Sequence, residues 1–183
     1  MLSFRATALI AFAGLVLSAP PALGQEVAET PEPPAADPAD VGSIDAIIAA
    51  VYDAISGPAG PRDWDRFRSL FIPEARLIAL GRNQEGQISK RAMDVEGYVS
   101  GADRYFSQNG FFERELARRT EQFGSIVHAF STYESRHNGD DAEPFSRGIN
   151  SFQLMNDGQR WWVVTIFWQA ESPGLTIPDE YLK

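Results

Sequence analysis

A chain of 183 residues that is 44% hydrophobic and 22% charged is long enough for one domain with a core of its own. Its net charge of −9 argues against nucleic acid and anionic membrane surfaces as partners. It has no cysteine, which excludes disulfides, thiol catalysis, cysteine-ligated metal and a lipid-attached cysteine.

Met1 to Arg5 is a short basic start, and Ala6 to Leu17 is an uninterrupted apolar run. Ala22-Leu23-Gly24 supplies small residues before Gln25. This is the pattern of a secretory signal peptide over 1–24, too short in its apolar part to span a bilayer. The expectation is a periplasmic or secreted protein with no membrane attachment after cleavage. Residues 25–42 are rich in Pro and Ala, lack aromatics, and carry Glu26, Glu29, Glu32, Asp37 and Asp40 without a base. Such a stretch buries too little apolar surface to offset ordering and is expected as a disordered acidic tether. The folded domain is expected over 43–183.

Ser43 is a helix N-cap, followed by Ile44, Ile47, Ile48, Val51, Tyr52 and Ile55 at helical spacing. Gly57-Pro58 ends that helix. Asp63 caps a second, with Trp64, Phe67 and Phe71 on one face, ended by Pro73. Ala75 to Leu80 reads as a strand and Gly86 to Arg91 as a short partner. Asp94 caps a third helix carrying Val95, Tyr98, Val99, Ala102, Tyr105 and Phe106. Four long runs follow, Phe111 to Thr120, Gln122 to Arg136, Phe145 to Asn156 and Arg160 to Glu171. Asn138-Gly139-Asp140-Asp141 and Asn156-Asp157-Gly158 are the turn signals between the last three. The fold class is therefore α+β, with three N-terminal helices packed on a long curved antiparallel sheet as a cone-shaped half-open barrel. Three helices cannot cover both sheet faces, so a homodimer is expected through the other.

His128 lies mid-strand, and alternation groups it with Ile126, Phe130 and Thr132. A neutral imidazole there can take up or shuttle a proton; a core histidine bonded to a neighbour is the plainer reading. Tyr52 is either a core residue of the first helix or a phenol donating to a developing oxyanion. Asp53, next along the helix, lies about 100° round from Tyr52 and reads as a solvated surface acid. Trp162, Val164, Ile166 and Trp168 alternate on one face of the last run, Trp161, Val163, Thr165 and Phe167 on the other. Trp64, Trp162 and Trp168 join Ile126 and Phe130 as expected pocket lining, although core packing accounts for most tryptophans. Glu113, Arg114, Glu115, Arg118, Arg119 and Glu121 read as a solvated or interface strand face laced with ion pairs. Two histidines nine apart make no metal site, and no phosphate-cradling loop or nucleophile elbow is present. No metal and no cofactor are expected.

The order of elements resembles the SnoaL-like branch of the nuclear transport factor 2-like superfamily over Ser43 to Glu171. The resemblance is carried by the helix Ile44 to Ile55, by Asp65 to Phe71 with Pro73-Glu74-Ala75, by Gly124 to Ser131, by Arg147 to Leu154, and by Gly158 to Val164. It implies a conical fold around a deep apolar pocket for a small hydrophobic or aromatic molecule, but no single chemistry. His-x-x-Ser at His128 to Ser131 is similar to the place where dehydratase-like and cyclase-like members carry a pocket histidine. Tyr52 is similarly placed to the oxyanion tyrosine of ketosteroid-isomerase-like members, and Asp53 to an acid that dehydratase-like members pair with the histidine. The isomerase base would fall near Ala79, where Ile78, Ala79 and Leu80 are all apolar. Three functions stand open: a binding pocket with no assigned reaction, a lyase or isomerase using His128 as acid and base, and a protein-interaction module using the sheet face.

Overall fold

The computed structural model describes residues 32–83 and 85–183. The signal-peptide reading of 1–24 and the first part of the tether lie outside the described residues. The end of the tether is ordered. Asp37 caps a helical turn, α1 (Pro38–Val41). Val41 is buried in the core, and Asp40 pairs with Arg66 at 2.7 Å. The acidic composition of 25–42 pointed to a solvated chain. An apolar anchor at Val41 and a cation opposite Asp40 override it locally.

Ser43 caps α2 (Ile44–Ile55), its hydroxyl accepting from the Ala46 amide at 3.0 Å. Ile47, Ile48, Val51, Tyr52 and Ile55 are buried along one face. Asp63 caps α3 (Trp64–Ser69), which ends earlier than Pro73 because Phe71 already belongs to strand β1 (Phe71–Arg82). Pro73 is accommodated where the pairing of β1 is irregular, between Phe71 and Arg76; a residue without an N–H fits such a place. β2 (Ile88–Met93) forms a hairpin with β1. Asp94 caps α4 (Val95–Phe106), accepting from the Gly97 amide at 2.7 Å.

The long strands are β3 (Phe112–Phe123), β4 (Ile126–Arg136), β5 (Ser146–Asn156) and β6 (Trp161–Ala170). The β3–β4 turn lies at Gly124-Ser125 rather than at Glu121, and Gly124 takes φ +55°, a left-handed conformation that glycine adopts without strain. The six strands order as β2-β1-β6-β5-β4-β3. β1 runs parallel to β6 while every other pair is antiparallel, so the sheet is mixed rather than wholly antiparallel. It curls into an unclosed cone. The helices pack into its concave face over a core that includes Phe67, Leu70, Phe71, Leu77, Val127, Phe152 and Val163. The chain ends by crossing the convex face. There Thr132 donates to the Tyr181 carbonyl at 2.6 Å, and Tyr181 packs edge-on against Phe130.

Two bulges decide which side chains enter the cone. In β6, Gln153 faces Thr165 and Leu154 faces Val163, leaving Val164 unpaired. The alternation changes phase there. Trp161 and Val163 are buried on the concave side, and beyond the bulge so is Ile166, with Trp168 after it. The simple alternation that grouped Trp162 with Trp168 fails for that reason. In β3, Leu116 is extra between Glu115 and Ala117.

Candidate functional site

Helices and sheet enclose a cavity of about 340 Å³. Val51 and Ile55 from α2, Phe67 from α3 and Tyr98, Ala102 and Phe106 from α4 form one side. Leu77, Phe152, Ile166 and Trp168 from the sheet form the other. Tyr98 packs edge-on against Trp168, with ring centroids 6.4 Å apart.

Into this apolar space β3 inserts a carboxylate. Glu113 pairs across the ladder with Ser135, and Glu115 with Tyr133, so both point to the concave side. Ser135 donates to Glu113 Oε2 at 2.7 Å, and Asn150 Nδ2 lies 3.4 Å from Oε1. Glu113 forms no ion pair among the described residues. Burial therefore dominates over these hydrogen bonds and pushes its carboxyl up to about 7. Burial, with the charge of Glu113 adding, also raises the phenols of Tyr98 and Tyr133 well above the ordinary range. Tyr133 lies across Gly148: a Cβ at Gly148 would stand 2.6 Å from its hydroxyl and 2.5 Å from the Gln169 carbonyl oxygen. Only glycine lets the phenol lie there.

A directional chain of hydrogen bonds runs under α2. Ser131 donates to Glu115 at 2.6 Å, so its oxygen accepts from the Tyr52 hydroxyl at 2.7 Å. Asn150 in turn donates to the Tyr52 oxygen at 3.1 Å. The Tyr52 proton is committed to Ser131 and is not free for a ligand. Tyr98 differs. Its hydroxyl has no protein partner among the described residues, and its ring lines the cavity. Glu113 and Tyr98 together offer a proton acceptor poised near neutrality and a free phenolic donor.

The structure does not bring the expected site residues together. His128 faces the convex side, where its Nε2 lies 3.0 Å from Ser151 Oγ and its ring meets Phe130 edge-on. It lines a separate hollow with Leu80, Phe167 and the C-terminal segment Leu175 to Pro178. Ile126, His128 and Phe130 do share a face, as alternation required, but it is the face away from α2. Ile126 is 62% exposed. Asp53 is on the outer side of α2, bonded to Arg66 at 2.5 Å. Trp64 stacks on Phe106 behind the cavity wall, its Nε1 donating to Asp103. Trp162 lies on the surface, with Arg160 3.6 Å over its ring and its Nε1 bonded to Asp157. Of the expected lining residues, Trp168 alone borders the cone. Glu113 was hidden in a strand that reads as a solvated charged face. Its signal was the facing register: Glu113, Tyr133 and Ser135 share a side with Val127, Ala129 and Ser131, whose burial marks the interior.

Among the described residues no group of three His, Asp or Glu is placed to hold a metal ion, and no helix is long and apolar enough to cross a membrane.

The fold is that of the nuclear transport factor 2-like proteins. No family model matches the sequence, and no curated protein is detectably similar to it; the likeness is in structure. A protein from Kribbella flavida superposes with a TM-score of 0.54 at 9% identity, covering 72% of this chain and 90% of its own. A cystatin-like-fold protein from Nostoc punctiforme gives 0.53 at 12%, covering 70% and 88%. A nuclear transport factor 2-like protein from Pseudomonas putida gives 0.53 at 12%, covering 74% and 90%. At such identities the likeness concerns the fold alone.

Proposed function

We propose that the cone binds a small, mostly apolar organic molecule bearing a carbonyl-type acceptor, and that Glu113 exchanges a proton with it. The observation that carries this reading is a carboxyl without an ion-pair partner, poised at about 7, facing an apolar cavity. The Glu113 carboxylate takes a proton from the carbon next to the carbonyl, becoming the neutral acid. The electron pair of that C–H bond moves onto the carbonyl oxygen as an enolate. Tyr98 donates a hydrogen bond to this oxygen, and Glu113 returns its proton to carbon. Asn150 and Ser135 hold the carboxylate in place. Trp168 and Phe106 offer flat walls to a ring. The reading replaces His128 as acid and base with Glu113, because His128 lies on the other side of the sheet. We also read the chain as exported, on the signal-like composition of 1–24, and as a homodimer, on the apolar convex face.

Exchange of the α-protons of 2-tetralone in D2O, followed by proton NMR at pH 7.5, tests it. The wild type accelerates exchange over buffer, Glu113→Gln abolishes the acceleration, and Tyr98→Phe reduces it about 10- to 100-fold. If tetralone binds but exchanges no faster than in buffer, the cone is a binding pocket without this chemistry.

A further inference from the structure

Resting on this reading of the cone, we infer that its ligand carries an anionic group, held at the cavity mouth by Arg91. Among the described residues lining the cavity, the charged ones are Glu113, on β3, and Arg91, on β2. They have opposite signs and different places. Glu113 stands among Tyr133, Asn150 and Phe152, all three buried. Arg91 is exposed, on the edge strand of the sheet, directly paired with the wall residue Ala79.

Its guanidinium reaches from β2 to α4. A Cβ added to Gly101 would meet Arg91 Nη2 at 3.6 Å as its only neighbour within 4 Å. The arginine thus lies over a helix position without a side chain, beside Met93 and Ala102 of the same lining. Other arginines of this acidic protein are engaged: Arg66, Arg68, Arg114, Arg118, Arg119, Arg136 and Arg147 are in ion pairs, and Arg62, Arg76, Arg82 and Arg160 donate to backbone carbonyls. Arg91 has no ion pair and no hydrogen bond among the described residues. A planar cation of this kind takes a carboxylate on two parallel N–H bonds.

The arrangement selects an amphipathic organic acid. The anion stays at the rim, the ring or chain lies against Tyr98 and Trp168, and the reacting end reaches Glu113. A carboxylate placed at the floor instead would meet the Glu113 charge, which like-charge repulsion disfavours.

The test compares naphthalene-2-carboxylate with 2-acetylnaphthalene, a neutral molecule of nearly the same shape, by calorimetric titration at pH 8 and low salt. The wild type should bind the carboxylate at least about tenfold more tightly. Arg91→Gln should remove that preference while leaving the ketone within about twofold. Equal affinity of the wild type for both overturns the inference and leaves the pocket reading standing. A preference that survives Arg91→Gln places the anion away from Arg91 and likewise overturns it. Failure of both molecules to bind at millimolar concentration overturns the pocket reading and the inference with it.

Discussion

Replacing Glu113 by Gln should stabilise the protein in alkaline solution and leave it unchanged in acid. The folded carboxyl titrates at about 7 instead of 4.5 because it is buried. Below the unfolded value both states are protonated and the group contributes nothing. Between 4.5 and 7 the unfolded chain releases the proton while the folded chain keeps it, so stability falls as pH rises. Above 7 the folded state carries a buried charge, and the loss is complete and constant. The full shift corresponds to about 3 kcal/mol; water entering the open side of the cavity reduces this to about 1–2 kcal/mol. Gln keeps the carbonyl that accepts from Ser135 and removes the charge, at the loss of only the long 3.4 Å contact with Asn150. Urea unfolding of both proteins from pH 4.5 to 8.5 should therefore give midpoints that coincide at the acid end and separate through neutrality. At pH 8 the variant should melt about 3–6 °C higher. A difference independent of pH, or a variant less stable at pH 8, would refute a carboxyl held near 7 by burial.

Tyr52→Phe should cost about 1–2 kcal/mol, since Ser131 loses a donor and Asn150 an acceptor in a buried chain. Tetralone exchange should stay within about twofold; a large drop in exchange with unchanged stability would restore Tyr52 as a ligand donor. His128→Ala should likewise leave exchange within about twofold, because its bond to Ser151 is on the convex side, and loss of exchange would move the chemistry to that face. The convex face exposes Ile126 at 62% and Phe167 at 41%, so sedimentation at micromolar concentration should show a dimer. A clean monomer would mean that the C-terminal crossing segment is covering enough.

Much of the architecture was legible because it rests on local chemistry. Ser43, Asp63 and Asp94 cap helices where they were expected to, and the stripes behind them are the buried faces. Strand limits were looser. The β3–β4 turn is only the two residues Gly124 and Ser125, and Phe71 continues an aromatic helix pattern into a strand. Parallel pairing of β1 with β6 is a long-range choice that no local signal announces.

The site was less legible because of face assignment. A strand with apolar residues on both sides does not say which side is inside, and every residue grouped with His128 went to the convex face together. The bulges made matters worse. Val164 changes the phase of β6 and separates Trp162 from Trp168, while Leu116 lets Glu113, Glu115 and Arg118 all turn inward from a strand that reads as uniformly charged. One consideration resolves the ambiguity. Ser131 and Ser135 have hydroxyls that must find partners if they face the core, and β3 supplies them by presenting Glu115 and Glu113 on the same side. The carboxylates in the cone and the hydroxyls of β4 are thus one solution to a single hydrogen-bonding requirement. Tyr98 remains outside it, with a phenol unbonded beside Glu113, and that is the group the site leaves for a ligand.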